Sequence, residues 1–349
     1  MAKYNEEQIR NVLRGVNYPG FSRDIVSFGI VKSVECGEGR TGVRIEISTA
    51  DDKVAAALEK SVNEALRRFD AEHVFEVEML RKTPITAPAG GTFSPNKLPG
   101  VKHVIAVASG KGGVGKSTVA ANLACALSLG GASVGLCDCD LYGPSISLMF
   151  GTREQPMLSE EEKILPVEQY GLRLLSLAFL TDPSQPAVLR GPMVTRYTQQ
   201  FLLGTDWAGT DYLILDLPPG TGDIQLTIVQ SIALSGAVIV TTPQEVALID
   251  ARKAIAMFQK VNTRVLGLVE NMSYFLCPND GNVYHIFGKG GGRAEAQRLG
   301  VPLLAEVPLE IATREAGDHG RPIVLADARS ASARAFIEAA AKIRDICPL

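Results

Sequence analysis

The 349-residue chain has no long apolar run; its hydrophobic stretches are strand-sized and interrupted. Crossing a bilayer as a helix takes about 20 consecutive apolar residues, so no membrane-spanning helix is expected. No apolar signal-peptide core follows Met1. An excess of positive charge is also missing. Lys and Arg number 35 against 38 Asp and Glu, a formal charge of −3. Residues 1–80 hold 11 basic and 14 acidic side chains, and the rest of the chain holds 24 of each. With no basic field, neither nucleic acid nor a membrane surface is an expected partner. These absences point to a soluble, cytoplasmic protein. Its six cysteines (Cys36, Cys125, Cys137, Cys139, Cys277 and Cys347) are then expected to be mostly reduced thiols.

What is present is organised around residues 104–129. An apolar run, Val104 to Ala108, breaks at Ser109 into Gly110-Lys111-Gly112-Gly113-Val114-Gly115-Lys116-Ser117-Thr118. Val119, Leu123, Ala126 and Leu127 then recur at helical spacing. Strand, loop and helix give the GxxxxGK[ST] pattern the context of a phosphate site. Gly112, Gly113 and Gly115 let backbone N–H groups turn inward onto phosphate oxygens. Lys116 neutralises β/γ-phosphate charge in such a site, Ser117 offers its hydroxyl to Mg²⁺, and the helix N-terminus adds to the attraction.

The chain reads as two domains of unlike type. Residues 1–80 run helix (Glu6–Leu13), strand (Ile25–Val31), strand (Gly42–Ser48), helix (Asp51–Phe69) and strand (Val74–Met79), a small α+β unit. Residues 81–100 carry four prolines and three glycines without apolar period, which reads as a linker. Extended, it spans at most about 60 Å, enough for the small domain to swing. From residue 101 to 349 strands alternate with helices, the pattern of a mostly parallel, doubly wound α/β sheet. The candidate strands are 104–108, 133–138, 172–177, 211–216, 236–241, 264–270 and 303–306.

Ligands of such sheets collect at the carboxyl ends of strands, where the informative polar residues fall. Asp138 and Asp140 follow one strand and suit a Mg²⁺ shell or the orientation of an attacking water. Between them, Cys137 and Cys139 read as small core hydrophobes more readily than as a metal pair. Asp216 ends another strand and is the expected Walker B carboxylate, holding Mg²⁺ through water. Beyond it, Pro218-Pro219-Gly220-Thr221-Gly222 forms a turn able to sense a γ-phosphate. Asn271 ends a third strand with an amide that matches the N6/N7 edge of adenine, and Pro308 to Ile311 lines the other side of the base. Ser273, two residues beyond Asn271, leaves nothing to grip a guanine, so adenine is the expected base. Ser332 to Ile346 shows a short apolar stripe, Phe336, Ala340 and Ile343, suited to docking on the sheet.

Several of these stretches resemble one family. A lysine at position 111, giving KGGVGKS, resembles the deviant Walker A loop of the SIMIBI class of ATPases. In that class it reaches the partner's nucleotide across a dimer. KGGVGKST, DCDLYGPS, Arg190-Gly191-Pro192-Met193, DLPPGTGD, TTPQ with Asp250-Ala251-Arg252-Lys253, ENMSYF, FGKGGG and REAGDHGRPI follow the order seen in the Mrp/ApbC/Nbp family. The front domain is similar to the small domain of iron–sulfur assembly factors. Their Asp-Pro element is replaced here by Asn17-Tyr18-Pro19-Gly20. Their reactive cysteine is absent from Ser48-Thr49-Ala50-Asp51, and Cys36 lies in a hairpin turn and does not take that role. The resemblance implies a homodimeric P-loop ATPase that hydrolyses ATP slowly with Mg²⁺ and carries iron–sulfur clusters to apoproteins. The implied residues are Lys111, Lys116, Asp140 and Asp216 for catalysis, Gly110 to Thr118 and Asn271 for nucleotide, and Ser117 and Asp216 for Mg²⁺. Assembly factors join the expected partners.

One departure matters. After ENMSYF the family carries Cys-Pro-x-Cys, two such pairs holding a bridging [4Fe–4S] cluster across the dimer. This chain reads Cys277-Pro278-Asn279-Asp280. Asp280 ligating through oxygen, Cys347 taking its place, and loss of the cluster all stay open. The last would leave a nucleotide-switched adaptor ATPase.

Overall fold

The computed structural model describes residues 3–17, 24–26, 29–37, 39–47, 52–81, 95–140, 143–161, 163–176, 179 and 201–349. The Arg190 to Met193 motif and most of the expected linker lie outside the described residues, as do Leu141, Tyr142, Tyr18 to Gly20 and Ser48 to Asp51. The chain divides into two compact units, Met1–Thr92 and Phe93–Leu349.

In the first unit β1 (Val31–Cys36) pairs antiparallel with β2 (Arg40–Ile47), and β2 pairs parallel with β3 (Val74–Arg81). Inward Val43, Ile45 and Ile47 alternate with exposed or half-exposed partners, and Leu58, Val62 and Leu66 of the helix Asp52–Phe69 cover them. The helix Glu6–Leu13 starts on a capping box between Asn5 and Gln8 and buries Ile9 and Leu13. The first strand begins at Val31, later than its apolar pattern suggests. Ile25 is buried without being in the strand; its N–H bonds to Val16 O in a turn. Cys36 is the last residue of β1, just before the hairpin turn.

The second unit is built on an eight-stranded sheet. Its strands are β4 (Val101–Ser109), β5 (Val134–Asp138), β8 (Val167–Gln169), β9 (Leu172–Ser176), β10 (Thr210–Asp216), β11 (Gly236–Thr241), β12 (Val265–Glu270) and β15 (Leu303–Glu306). Two short ribbons lie apart from it, β6 (Met157–Leu158) with β7 (Ile164–Leu165), and β13 (Phe275–Leu276) with β14 (Val283–Tyr284). The order across the sheet is β15-β12-β11-β4-β10-β5-β9-β8, parallel except where β8 closes one edge against β9. On β4, Ile105 and Val107 enter one core while Val104, Ala106 and Ala108 enter the other. That two-sided burial is why the strand is a continuous apolar run.

The helix Lys116–Leu129 is buried nearly all round, from Val119 to Leu127. Its alanines allow close approach to the sheet on one side and to the helix Ala331–Ile346 on the other. The latter buries Ser332, Ala333, Phe336, Ala339, Ala340 and Ile343, so the C-terminal stripe is core. Cys137 and Cys139 are buried with their sulfurs 3.9 Å apart among apolar neighbours, and the contact with the Cys139 sulfur, together with burial, pushes the Cys137 thiol up. Residues 95–98, at the end of the expected linker, already belong to this unit: Asn96 N–H bonds to Ser231 O at 2.8 Å and Leu98 is buried. Among the described residues no helix is long and apolar enough to cross a membrane.

Candidate functional site

β4, β5, β10, β11 and β12 all end on the same edge of the sheet, and their terminal residues form the floor of the site. Register places Asp216 beside Val107 on one side and Asp138 on the other. After Ser109 the chain turns through Gly110, where a Cβ would come within 2.1 Å of Asp250 O, so only glycine lets the loop pass the helix Glu245–Lys260. Gly115 has φ +79°, and a Cβ there would meet Asn271 Nδ2 at 2.2 Å. Ser109 Oγ donates to Lys111 O and closes the loop.

Below the loop, Lys116 Nζ lies 2.6 Å from Asp216 Oδ1 and 3.3 Å from Ser117 Oγ. Asp216 is fully buried, and among the described residues its Oδ2 has no hydrogen-bond partner. Burial pushes the Asp216 carboxyl up, and the Lys116 ammonium opposes that push. A buried acid with one bare oxygen beside a lysine and a serine hydroxyl is the donor set that suits Mg²⁺ and phosphate. Lys111 is half-exposed in the loop. The turn Pro218–Gly222 is tied to the loop, since Gly220 N–H bonds to Ser109 O at 2.9 Å.

The two aspartates after β5 differ in role. Asp138 is buried and accepts from Asp140 N, Ser145 N, Ile146 N and Ser176 Oγ at 3.0–3.3 Å. Burial and the neighbouring Asp216 push it up to about 7, against these four donors. Its hydrogen bonds pin the following loop, a structural use that the sequence did not show. Asp140 is half-exposed and close enough to Asp216 to raise it, leaving Asp140 as the acid that borders the site. Asp138→Ala is expected to destabilise the fold by about 1–3 kcal/mol, because buried N–H groups lose their acceptor. Denaturant unfolding of this variant beside Asp140→Ala, expected within about 0.5 kcal/mol of the wild type, checks the distinction.

Beside the loop lies a cavity of about 230 Å³ whose lining includes Gly115, Thr118, Asn271, Met272, Pro308 and Leu309. The Pro308 segment stands where the sequence places it. Asn271 lines the cavity, yet its Nδ2 donates to Val114 O at 2.9 Å. One N–H of the amide therefore anchors the loop, and the oxygen and the second N–H are left for a base. Glu270, which sequence reasoning passed over, is fully buried and accepts from Ser273 Oγ and from the N–H of Gly292. It fixes the start of the helix Gly291–Leu299 against the end of β12. Its only sequence signal was an acid closing an apolar strand. Arg252 is held by Glu295 at 2.8 Å and by Glu245 at 2.9 Å, and serves packing between helices.

Cys277 lies in the turn between β13 and β14, half-exposed, with Cys277 N–H on Asn282 O and Gly281 N–H on Cys277 O. Asp280 accepts from Asn282 N and Tyr284 Oη, each at 2.8 Å, and these two, with the nearby Cys277 thiol, hold its carboxyl low. Thiol and carboxylate are thus neighbours in one turn. Among the described residues no group of three or more His, Cys, Asp or Glu could hold a metal within one chain. Cys347 does not reach this turn. It is buried where Tyr212 Oη donates to its carbonyl, at the first residues of β10, the opposite edge of the sheet from Asp216. Burial pushes its thiol up. Cys347→Ser is therefore expected to leave iron content unchanged in an anaerobic reconstitution.

Comparison with known proteins agrees with this geometry. A family described as NUBPL iron-transfer P-loop NTPase matches residues 100–344, and one described as iron–sulfur cluster assembly protein matches residues 6–79. The iron–sulfur cluster carrier protein of Deinococcus radiodurans is 44% identical over 334 residues, 95% of this chain and 92% of that protein. The iron–sulfur cluster transfer protein NUBPL of Mus musculus is 46% identical over 270 residues, 77% of this chain and 85% of its own. A nucleotide-binding protein from Archaeoglobus fulgidus, solved with ADP, superimposes with a TM-score of 0.59 at 38% identity, covering 68% of this chain and 92% of that one. The phosphate-type loop, the buried Lys116–Asp216 pair and these matches together place the chain in the family of NUBPL-type iron-transfer P-loop NTPases.

Proposed function

We propose that this chain is a Mg²⁺-dependent ATPase that carries iron–sulfur clusters to apoproteins, working as a homodimer in the cytoplasm. Gly110 to Thr118 cradles the phosphates, Ser117 and Asp216 take the Mg²⁺ ion, and Asp140 orients the attacking water. Lys111 serves the partner subunit's nucleotide. Adenine sits in the cavity beside Gly115, with the Asn271 oxygen accepting from its amino group. The cluster is cargo. Each chain offers one sulfur and one oxygen, Cys277 and Asp280, so a four-coordinate bridging site takes two copies. The residues fit such a site in number, with a softer, more labile donor set than four thiolates.

One observation carries the reading: the nucleotide cavity and the Cys277 turn share a continuous stretch of chain. Met272 lines the cavity at φ +53°, Ser273 N–H bonds to Val307 O, and Leu309 N–H bonds to Tyr274 O. Phe275 then bridges Leu309, itself a cavity residue, and Cys277 follows two residues on. A change in the cavity can thus reach the thiol through backbone hydrogen bonds. Anaerobic reconstitution with iron and sulfide tests this reading, with about two irons per chain expected in a dimeric species. A chain that stays monomeric and iron-free while hydrolysing ATP would instead be an adaptor.

A further inference from the structure

The turn that carries Cys277 contains a phenol whose position bears on how Asp280 acts. Asp280 stands where a second thiolate would complete the donor pair, and carboxylate oxygen alone is a poor match for iron–sulfide. An exposed aspartate on a turn also has freedom to point into water. Here it has little. Oδ1 accepts from the backbone N–H of Asn282 at 2.8 Å, and Oδ2 accepts from the Tyr284 phenol at 2.8 Å. The Cys277 thiol reaches the same carboxylate. Each oxygen of Asp280 keeps lone pairs beyond the one it has given to the turn.

The Asn282 bond is an ordinary feature of aspartate in a turn, as an Asx-type contact two residues on. The Tyr284 bond is different. It comes from the first strand residues after the turn, since Tyr284 pairs with Phe275 across the β13–β14 ribbon. The ribbon register thus sets where the phenol stands, and the phenol sets where the carboxylate points. Metal-ligating carboxylates are themselves held by such outer partners, whose loss costs about 10- to 100-fold in metal affinity.

We infer that Tyr284 is a positioning residue for the cluster, orienting Asp280 beside Cys277 so that a carboxylate can serve where a thiolate is missing. The inference rests on the carrier reading above and names how its weakest ligand is held.

The test uses the full-length protein reconstituted anaerobically with ⁵⁷Fe and sulfide, with iron loss to a chelator followed over time. Tyr284→Phe keeps the ring and removes the hydroxyl. It is expected to lose iron about 10-fold faster, and the Mössbauer signal of the oxygen-ligated iron is expected to broaden or vanish while ATP binding is unchanged. In an Asp280→Cys background, where a thiolate needs no phenol to aim it, Tyr284→Phe is expected to change nothing. Equal retention in wild type and Tyr284→Phe overturns the inference and leaves the carrier reading standing. So does an equal fold-change in both backgrounds, since that is the mark of ribbon packing. Iron absent from the wild type overturns the carrier reading and this inference together.

Discussion

Lys116→Ala is expected to abolish productive ATP binding and, in the same protein, to weaken the nucleotide-free fold. The two effects have separate causes. Truncating a buried charged partner of phosphate costs about 2–5 kcal/mol, roughly 30- to 5,000-fold in affinity. Without nucleotide, Lys116 Nζ is 2.6 Å from Asp216, with the two side chains 6% and 0% exposed. Removing one member of such a pair costs about 3–5 kcal/mol, because the other charge is left buried. Asp216 is already pushed up by burial, and losing Lys116 raises it further. A raised carboxyl costs stability above its unfolded value near 4 and nothing well below it. The destabilisation should therefore shrink as pH falls and fade towards about 4. Lys116→Ala combined with Asp216→Asn should recover stability but not binding. Titration calorimetry and denaturant unfolding across pH separate the two effects, and recovered ATP affinity in the double variant would remove Lys116 from the phosphate site.

The second large effect is expected at the other end of the shared stretch of chain. Cys277→Ser should remove essentially all reconstituted iron, because each chain contributes one thiolate and thiolates hold iron–sulfide. ATP affinity should stay within about twofold, since Cys277 is not among the residues lining the nucleotide cavity. Folding should be unaffected as well: the thiol is half-exposed and serine preserves the turn. Iron counted against protein, with fluorescent nucleotide binding on the same samples, gives both quantities. Iron retained in full by Cys277→Ser would move the ligands elsewhere in the chain, and Cys347, buried at the opposite edge of the sheet, is not a candidate.

How much of this was legible in the sequence follows from the length over which each signal extends. β4, β10 and β11 are buried on both faces, so each is a run of four or more apolar residues that stands out without structure. The phosphate-type loop announces itself because Gly110 and Gly115 are required by close approach to Asp250 and Asn271, and glycine is all that fits. β6, β7, β13 and β14 are two residues each, too short for a period to show, and the antiparallel edge strand β8 is three. Asp138 and Asp140 look alike in sequence. Only the fold shows that the first is surrounded by the N–H groups of its own loop. Asn271 was read as a base reader because an amide can donate and accept. The loop carbonyl of Val114, distant in sequence, takes one of its two N–H donors. The pairing of Cys277 with Asp280 was visible as an i, i+3 spacing, whereas Tyr284 enters through ribbon register, which spacing does not encode.

Transfer of a preformed cluster to an apo iron–sulfur enzyme, under anaerobic conditions with a chelator present to remove free iron, tests the central claim most directly. The account predicts that the reconstituted wild-type chain activates the acceptor despite the chelator, and that Cys277→Ser does not. Activation that is blocked by the chelator, or that proceeds equally with Cys277→Ser, would contradict it.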